Sequence, residues 1–141
     1  MKPRKIDHIC IAVRSLDAAR PHWEQILGKG PDEEYTDEPE QIHVLRYMVG
    51  EVGLELMEST TPDGPVARHI AKHGEGVMVL SLGVESTAAA VEELSTAGLP
   101  LVPAPDTGEV LRPFRGGHFA FVHPRAVNGV LLELIDEGSG E

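Results

Sequence analysis

GVLLELID (residues 129–136) decides how this chain reads. Leu132 and Leu134 bracket Glu133, so a two-residue period turns both leucines to one face of a strand and the glutamate to the other. VGLELME (residues 52–58) repeats the arrangement, with Leu54 and Leu56 around Glu55. A carboxylate on an otherwise apolar strand face is costly unless it is paired, hydrogen-bonded or bound to a cation. Further out, KIDHICIAV (residues 5–13) alternates as well, with Ile9, Ile11 and Val13 on one face and His8 and Cys10 on the other. GVMVLSLGV (residues 76–84) is its counterpart in the second half and carries Val79 where a second histidine would match His8. Alternation therefore predicts that His8, Glu55, Val79 and Glu133 face away from the helices. One imidazole and two carboxylates suit a divalent ion such as Mn, Co, Fe, Ni or Zn, with water completing the shell. A solvated sheet face, or a histidine–carboxylate hydrogen bond without metal, is the other reading of the same residues.

The segments between these strands supply the rest of the fold. Ser15 is placed to cap a helix that Gly28 closes, and Pro21 inside it predicts a kink or a late start. Residues 31–40, rich in Asp, Glu and Pro, read as a loop leading to the strand pair IHVLRYMV and VGLELME. A short helix follows over about 64–74, with Pro65 at its first turn and Gly74 at its end. The second half repeats the order: strand 77–84, a helix between Ser86 and Gly98, a short strand at LPLV, then strands 118–122 and 129–135. Strand and helix alternate in two similar modules, about 5–58 and 76–135, which predicts a mixed α/β (α+β) fold in one domain over 1–141. The tail EGSGE is expected to be loose.

Composition narrows the partners. A net charge of −11 argues against nucleic acid and anionic membrane, because little basic surface is available to neutralise phosphates. The single cysteine, Cys10, permits no internal disulfide and fits a reducing cytoplasmic compartment. No stretch is long and apolar enough to predict a membrane-spanning helix.

DHICIAV with the following SLDAARPHWEQILG, the two strand–helix–strand halves and the terminal GVLLELID together resemble the vicinal oxygen chelate (glyoxalase/bleomycin resistance) superfamily. PDGPVARHIAKHGEGV (residues 62–77) looks more narrowly like the methylmalonyl-CoA epimerase branch. The resemblance implies two βαβββ modules forming a cupped eight-stranded mixed sheet and a divalent metal held by His8, Glu55 and Glu133. It also implies metal-assisted proton transfer next to a carbonyl of a small acid or acyl-CoA thioester, with Glu133 as a base, and a homodimer. The residue that would be the remaining ligand is Val79. The second catalytic glutamate of the branch falls near Leu45.

Three functions follow from these departures: an epimerase-like isomerase, a divergent lyase or isomerase, or a resistance-type protein that binds a small molecule without turning it over. The second needs replacement groups. His43, two residues before Leu45 and so on its strand face, and His118, in the matching place of the second half, are the candidates for ligand or base. In the third, Val79 and Leu45 would line an apolar cup. His69 and His73 share one helix face at zinc-compatible spacing, without a glutamate between them. Arg112, Arg115 and Gly116-Gly117 read as a flexible, locally positive segment able to meet an anion.

Overall fold

The computed structural model describes residues 1–137. Among them are eight strands: β1 (Lys5–Ala12), β2 (Glu33–Asp37), β3 (Ile42–Val49), β4 (Val52–Ser59), β5 (Gly76–Gly83), β6 (Arg112–Phe114), β7 (Gly117–Val122) and β8 (Leu131–Ile135). The α-helices are α1 (Leu16–Leu27), α2 (Pro65–His73) and α3 (Thr87–Thr96). The strands belong to one mixed sheet ordered β2-β3-β4-β1-β5-β8-β7-β6, in which β5 and β8 run parallel. The chain order is thus βαβββ twice, with α2 between, as expected from the repeat.

Three local expectations are corrected. The acidic stretch read as a loop contains β2, which pairs antiparallel with β3 from Glu33↔Arg46 to Asp37↔Ile42. LPLV is no strand: only Leu101 bridges to Val122, and the missing strand lies further on, at Arg112–Phe114. Pro21 does not delay α1, which begins at Leu16 because the Ser15 hydroxyl accepts from the Ala18 N–H at 3.1 Å. All but Glu137 of the tail lies outside the described residues.

Two compact units divide the chain, residues 9–78 and residues 1–8 with 79 onward. In the first, Ile11, Val13, Leu45, Tyr47 and Leu56 form a buried cluster against Leu16, Ala19, Trp23 and Leu27 of α1. The Tyr47 hydroxyl donates to Glu24 at 2.7 Å, and Arg20 donates to the same carboxylate at 2.8 Å. Burial and that carboxylate push the Tyr47 phenol well above its usual pKa. In the second unit, Val84, Ala90, Leu94, Val122 and Leu134 pack together with Leu82, Leu99 and Leu132.

Leu45 therefore belongs to the core beneath α1, and not to the ligand-facing side on which the resemblance put it. Leu45→Ala is expected to cost about 2–5 kcal/mol in a denaturant or thermal melt, the range for emptying a fully buried leucine site. A loss below about 1 kcal/mol would contradict its placement.

Candidate active site

In the 9–78 unit, register fixes which residues oppose the α1 face. Leu45↔Leu56 and Tyr47↔Leu54 point to the helix, so Val44↔Met57, Arg46↔Glu55 and Met48↔Gly53 point the other way. Glu55 is buried, with 3% of its surface exposed. One carboxylate oxygen accepts from the Cys10 thiol at 3.6 Å, and the other forms an ion pair with the Arg46 guanidinium. Gly53 makes room for that guanidinium: a β-carbon there would stand 2.5 Å from Arg46 Cζ. Neither Arg46 nor Gly53 was singled out in the sequence, although a lone arginine in IHVLRYMV was a signal.

His43 does not join this group. It shares the face of Leu45 and Tyr47, is exposed, and its Nδ1 lies 2.6 Å from the Thr36 hydroxyl across the β2–β3 ladder. β3 has apolar residues on both faces, and Leu45 and Tyr47 among the odd-numbered ones bury beneath α1.

In the other unit, Leu132 and Leu134 pack toward α3, and Glu133 faces away. Parallel register sets Ser81 beside Glu133 and Val79 beside Leu131. His8 lies between two carboxylates, its Nε2 2.8 Å from Glu133 Oε1 and its Nδ1 2.7 Å from Asp7 Oδ1. His8 and Glu133 are 6% and 7% exposed. Asp7 was overlooked in the sequence, where its only signal is that it directly precedes the histidine. If Nδ1–H donates to Asp7, the Nε2 lone pair faces the Glu133 carboxylate, and two acceptors at that distance require a proton or a cation between them.

His118 does not share the face of Glu133. Ala120↔Leu134 and Val122↔Leu132 put the even-numbered residues of β7 on the α3 side, opposite Glu133. The His118 main chain is tied down there, its carbonyl accepting from the Thr87 hydroxyl at 2.9 Å and its N–H donating to Asp136 at 3.3 Å. The faces that oppose α3 instead carry Phe119, Phe121 and Glu133, and Arg112 opposite Phe119 on β6. His69 and His73 on α2 stand with ring centroids 4.9 Å apart, and burial together with the His73 charge holds His69 below the usual histidine range. No helix among the described residues is long and apolar enough to cross a membrane.

A buried imidazole against a buried carboxylate, mounted on strands of a twice-repeated βαβββ order, defines a class before it defines a reaction. The family model described as Glyoxalase/Bleomycin resistance protein/Dioxygenase superfamily matches residues 7–121, and the chain belongs to that superfamily. It is 33% identical over 133 residues to the Uncharacterized protein YqjC of Bacillus subtilis (strain 168), covering 94% of this chain and 91% of that protein. It is 28% identical over 131 residues to the mitochondrial methylmalonyl-CoA epimerase of Homo sapiens, covering 92% of this chain and 72% of that one. A solved structure of a methylmalonyl-CoA epimerase in complex with methylmalonyl-CoA and NH4+ superposes with a TM-score of 0.83 at 27% identity, covering 99% of each chain. The fold is the vicinal oxygen chelate fold.

Proposed function

We propose that this chain is a methylmalonyl-CoA epimerase-like enzyme that removes and returns a proton on the carbon beside a carbonyl of a small acid or acyl-CoA thioester. The observation that carries the reading is the buried His8–Glu133 pair, oriented by Asp7. The chemistry of these donors fits the divalent metal that the superfamily uses. His8, Glu55 and Glu133 would hold a Co, Mn, Ni, Fe or Zn ion, which when bound stabilises the negative charge that develops on a carbonyl oxygen. Val79 offers no donor in place of a fourth ligand, so metal is expected to be weak and exchangeable.

The chain's own residues do the rest. Glu133 Oε takes the proton from one face of the substrate carbon and passes it to water, while a water proton delivered to the opposite face inverts the centre; the removal needs a carboxylate rather than an amide. Asp7 holds the His8 ring so that Nε2, not Nδ1, faces Glu133. Arg46 neutralises Glu55 within its own unit. The reading with His43 or His118 as base loses support, because both stand on helix-side faces. As part of the same proposal the protein works in the cytoplasm as a homodimer on a small-molecule or acyl-CoA ligand.

Two measurements test this. With Co²⁺ or Mn²⁺ present, a single-configuration 2-methylmalonyl thioester should lose its circular dichroism over time; a constant signal at the level of buffer alone would overturn the epimerase assignment. Metal analysis after dialysis against a dilute Co²⁺ buffer should find less metal in Glu133→Gln than in the parent, and equal content would contradict the ligand role of Glu133.

A further inference from the structure

Ser81 is a buried polar residue to which the proton transfer gives no task. It stands in β5 between Leu80 and Leu82, and Leu82 packs on the α3 side, so a two-residue period turns Ser81 to the opposite face. Val79, two residues earlier, shares that face. Parallel register sets Ser81 beside Glu133. The serine is fully buried, and its hydroxyl has no hydrogen-bond partner among the described residues. Glu133 Oε1 is likewise buried without a hydrogen bond, although His8 Nε2 stands 2.8 Å from it.

Unsatisfied oxygens on neighbouring strands carry a desolvation cost that alanine at position 81 would avoid. One shared cation satisfies both oxygens and the imidazole nitrogen together. Neighbouring strands lie about 4.8 Å apart, close enough for two short polar side chains to converge on an ion. A nitrogen and an oxygen held at right angles about 2.1 Å from a metal stand about 3 Å from each other, near the separation of His8 Nε2 and Glu133 Oε1.

We propose that Ser81 supplies the donor that Val79 lacks, its neutral hydroxyl serving as a ligand to the divalent cation held by His8 and Glu133. The inference deepens the metal reading above and rests on it. Its consequence is selectivity. A hydroxyl in place of an imidazole makes the donor set richer in oxygen, the kind that suits Mn²⁺ and Mg²⁺. It gives up part of the advantage that nitrogen donors confer on Co²⁺, Ni²⁺ and Zn²⁺.

The test needs no substrate. Electron paramagnetic resonance of free Mn²⁺ follows its titration with the parent, Ser81→Ala and Ser81→Cys, each first shown to be folded by a metal-free thermal melt. The parent should bind Mn²⁺, and Ser81→Ala should bind it at least about tenfold more weakly, the lower bound for losing a group that supports a metal site. Ser81→Cys puts a soft thiolate at the same place. It should hold Zn²⁺ and Co²⁺ more tightly than the parent and Mn²⁺ less tightly. Its Co²⁺ form should gain a sulfur-to-cobalt charge-transfer band in the near ultraviolet beyond any that the parent shows. An Mn²⁺ affinity of folded Ser81→Ala within about twofold of the parent, well short of that bound, would overturn the proposal and leave the hydroxyl a partner of water only. No added band in Ser81→Cys would overturn it as well. Weakened Mn²⁺ binding in Glu133→Gln but not in Ser81→Ala would strike the serine and leave the metal reading standing. No Mn²⁺ bound by the parent would overturn both. Serine-dependent binding without proton exchange on a substrate would instead strike the reaction and leave this ligand in place.

Discussion

Glu133→Gln at saturating Co²⁺ or Mn²⁺ is expected to slow exchange of the substrate α-proton by about 10²- to 10⁴-fold, the usual worth of a positioned general base. The substitution keeps the shape of the side chain and supplies an amide N–H able to donate to the His8 Nε2 lone pair, so the fold should survive. What it removes is the capacity to carry a proton. Saturating metal matters because Glu133 is also a proposed ligand, and a deficit in binding must not pass for a deficit in chemistry. Exchange within about threefold of the parent under those conditions would place the base elsewhere.

Arg46→Met should produce the largest loss of stability, about 3–5 kcal/mol, because removing one partner of a buried ion pair leaves the other charge uncompensated. Glu55 has 3% exposure, and the Arg46 side chain 19%, so solvent screens this pair far less than a surface bridge. Replacing both residues in Arg46→Met/Glu55→Leu should recover most of the loss, since the buried carboxylate is removed together with its countercharge. Divalent metal should also rescue the single variant, because a cation that binds only the folded state stabilises it by about 2.7 kcal/mol at a hundredfold excess over its dissociation constant. A single-variant loss below about 1 kcal/mol would mean that the pair behaves as a solvated bridge.

How much of this was legible in the chain depended on contrast within each strand. In β4 and β8 one glutamate stands between two leucines, so a period of two has a single solution, and Leu54, Leu56, Leu132 and Leu134 pack toward helices as expected. β3 and β7 lack that contrast. IHVLRYMV and HFAFV are apolar on both faces, because both faces are covered, and their parity was decided by the contacts of Leu45, Tyr47 and Val122 with the helices. His43 and His118 were misplaced for that reason. β2 escaped notice because EEYTD is the charged edge strand that sheets use to blunt unwanted pairing. β6 escaped because its three residues around Pro113 adjoin Arg115 and Gly116-Gly117 in what read as a flexible segment, and Pro is tolerated on an edge strand. The burial of Arg112 was missed with it, since a residue placed in a flexible segment has no face. Pairings such as Arg46 with Glu55 and Asp7 with His8 depend on side-chain reach, which no spacing rule reports.

The central claim is that the His8–Glu133 pair moves a proton on carbon, and ¹H NMR of a 2-methylmalonyl thioester in D₂O with Co²⁺-loaded protein tests it most directly. The α-proton signal should decay at a rate proportional to protein concentration while the methyl signal persists. An α-proton that outlasts the incubation as it does in metal-containing buffer alone would contradict the account.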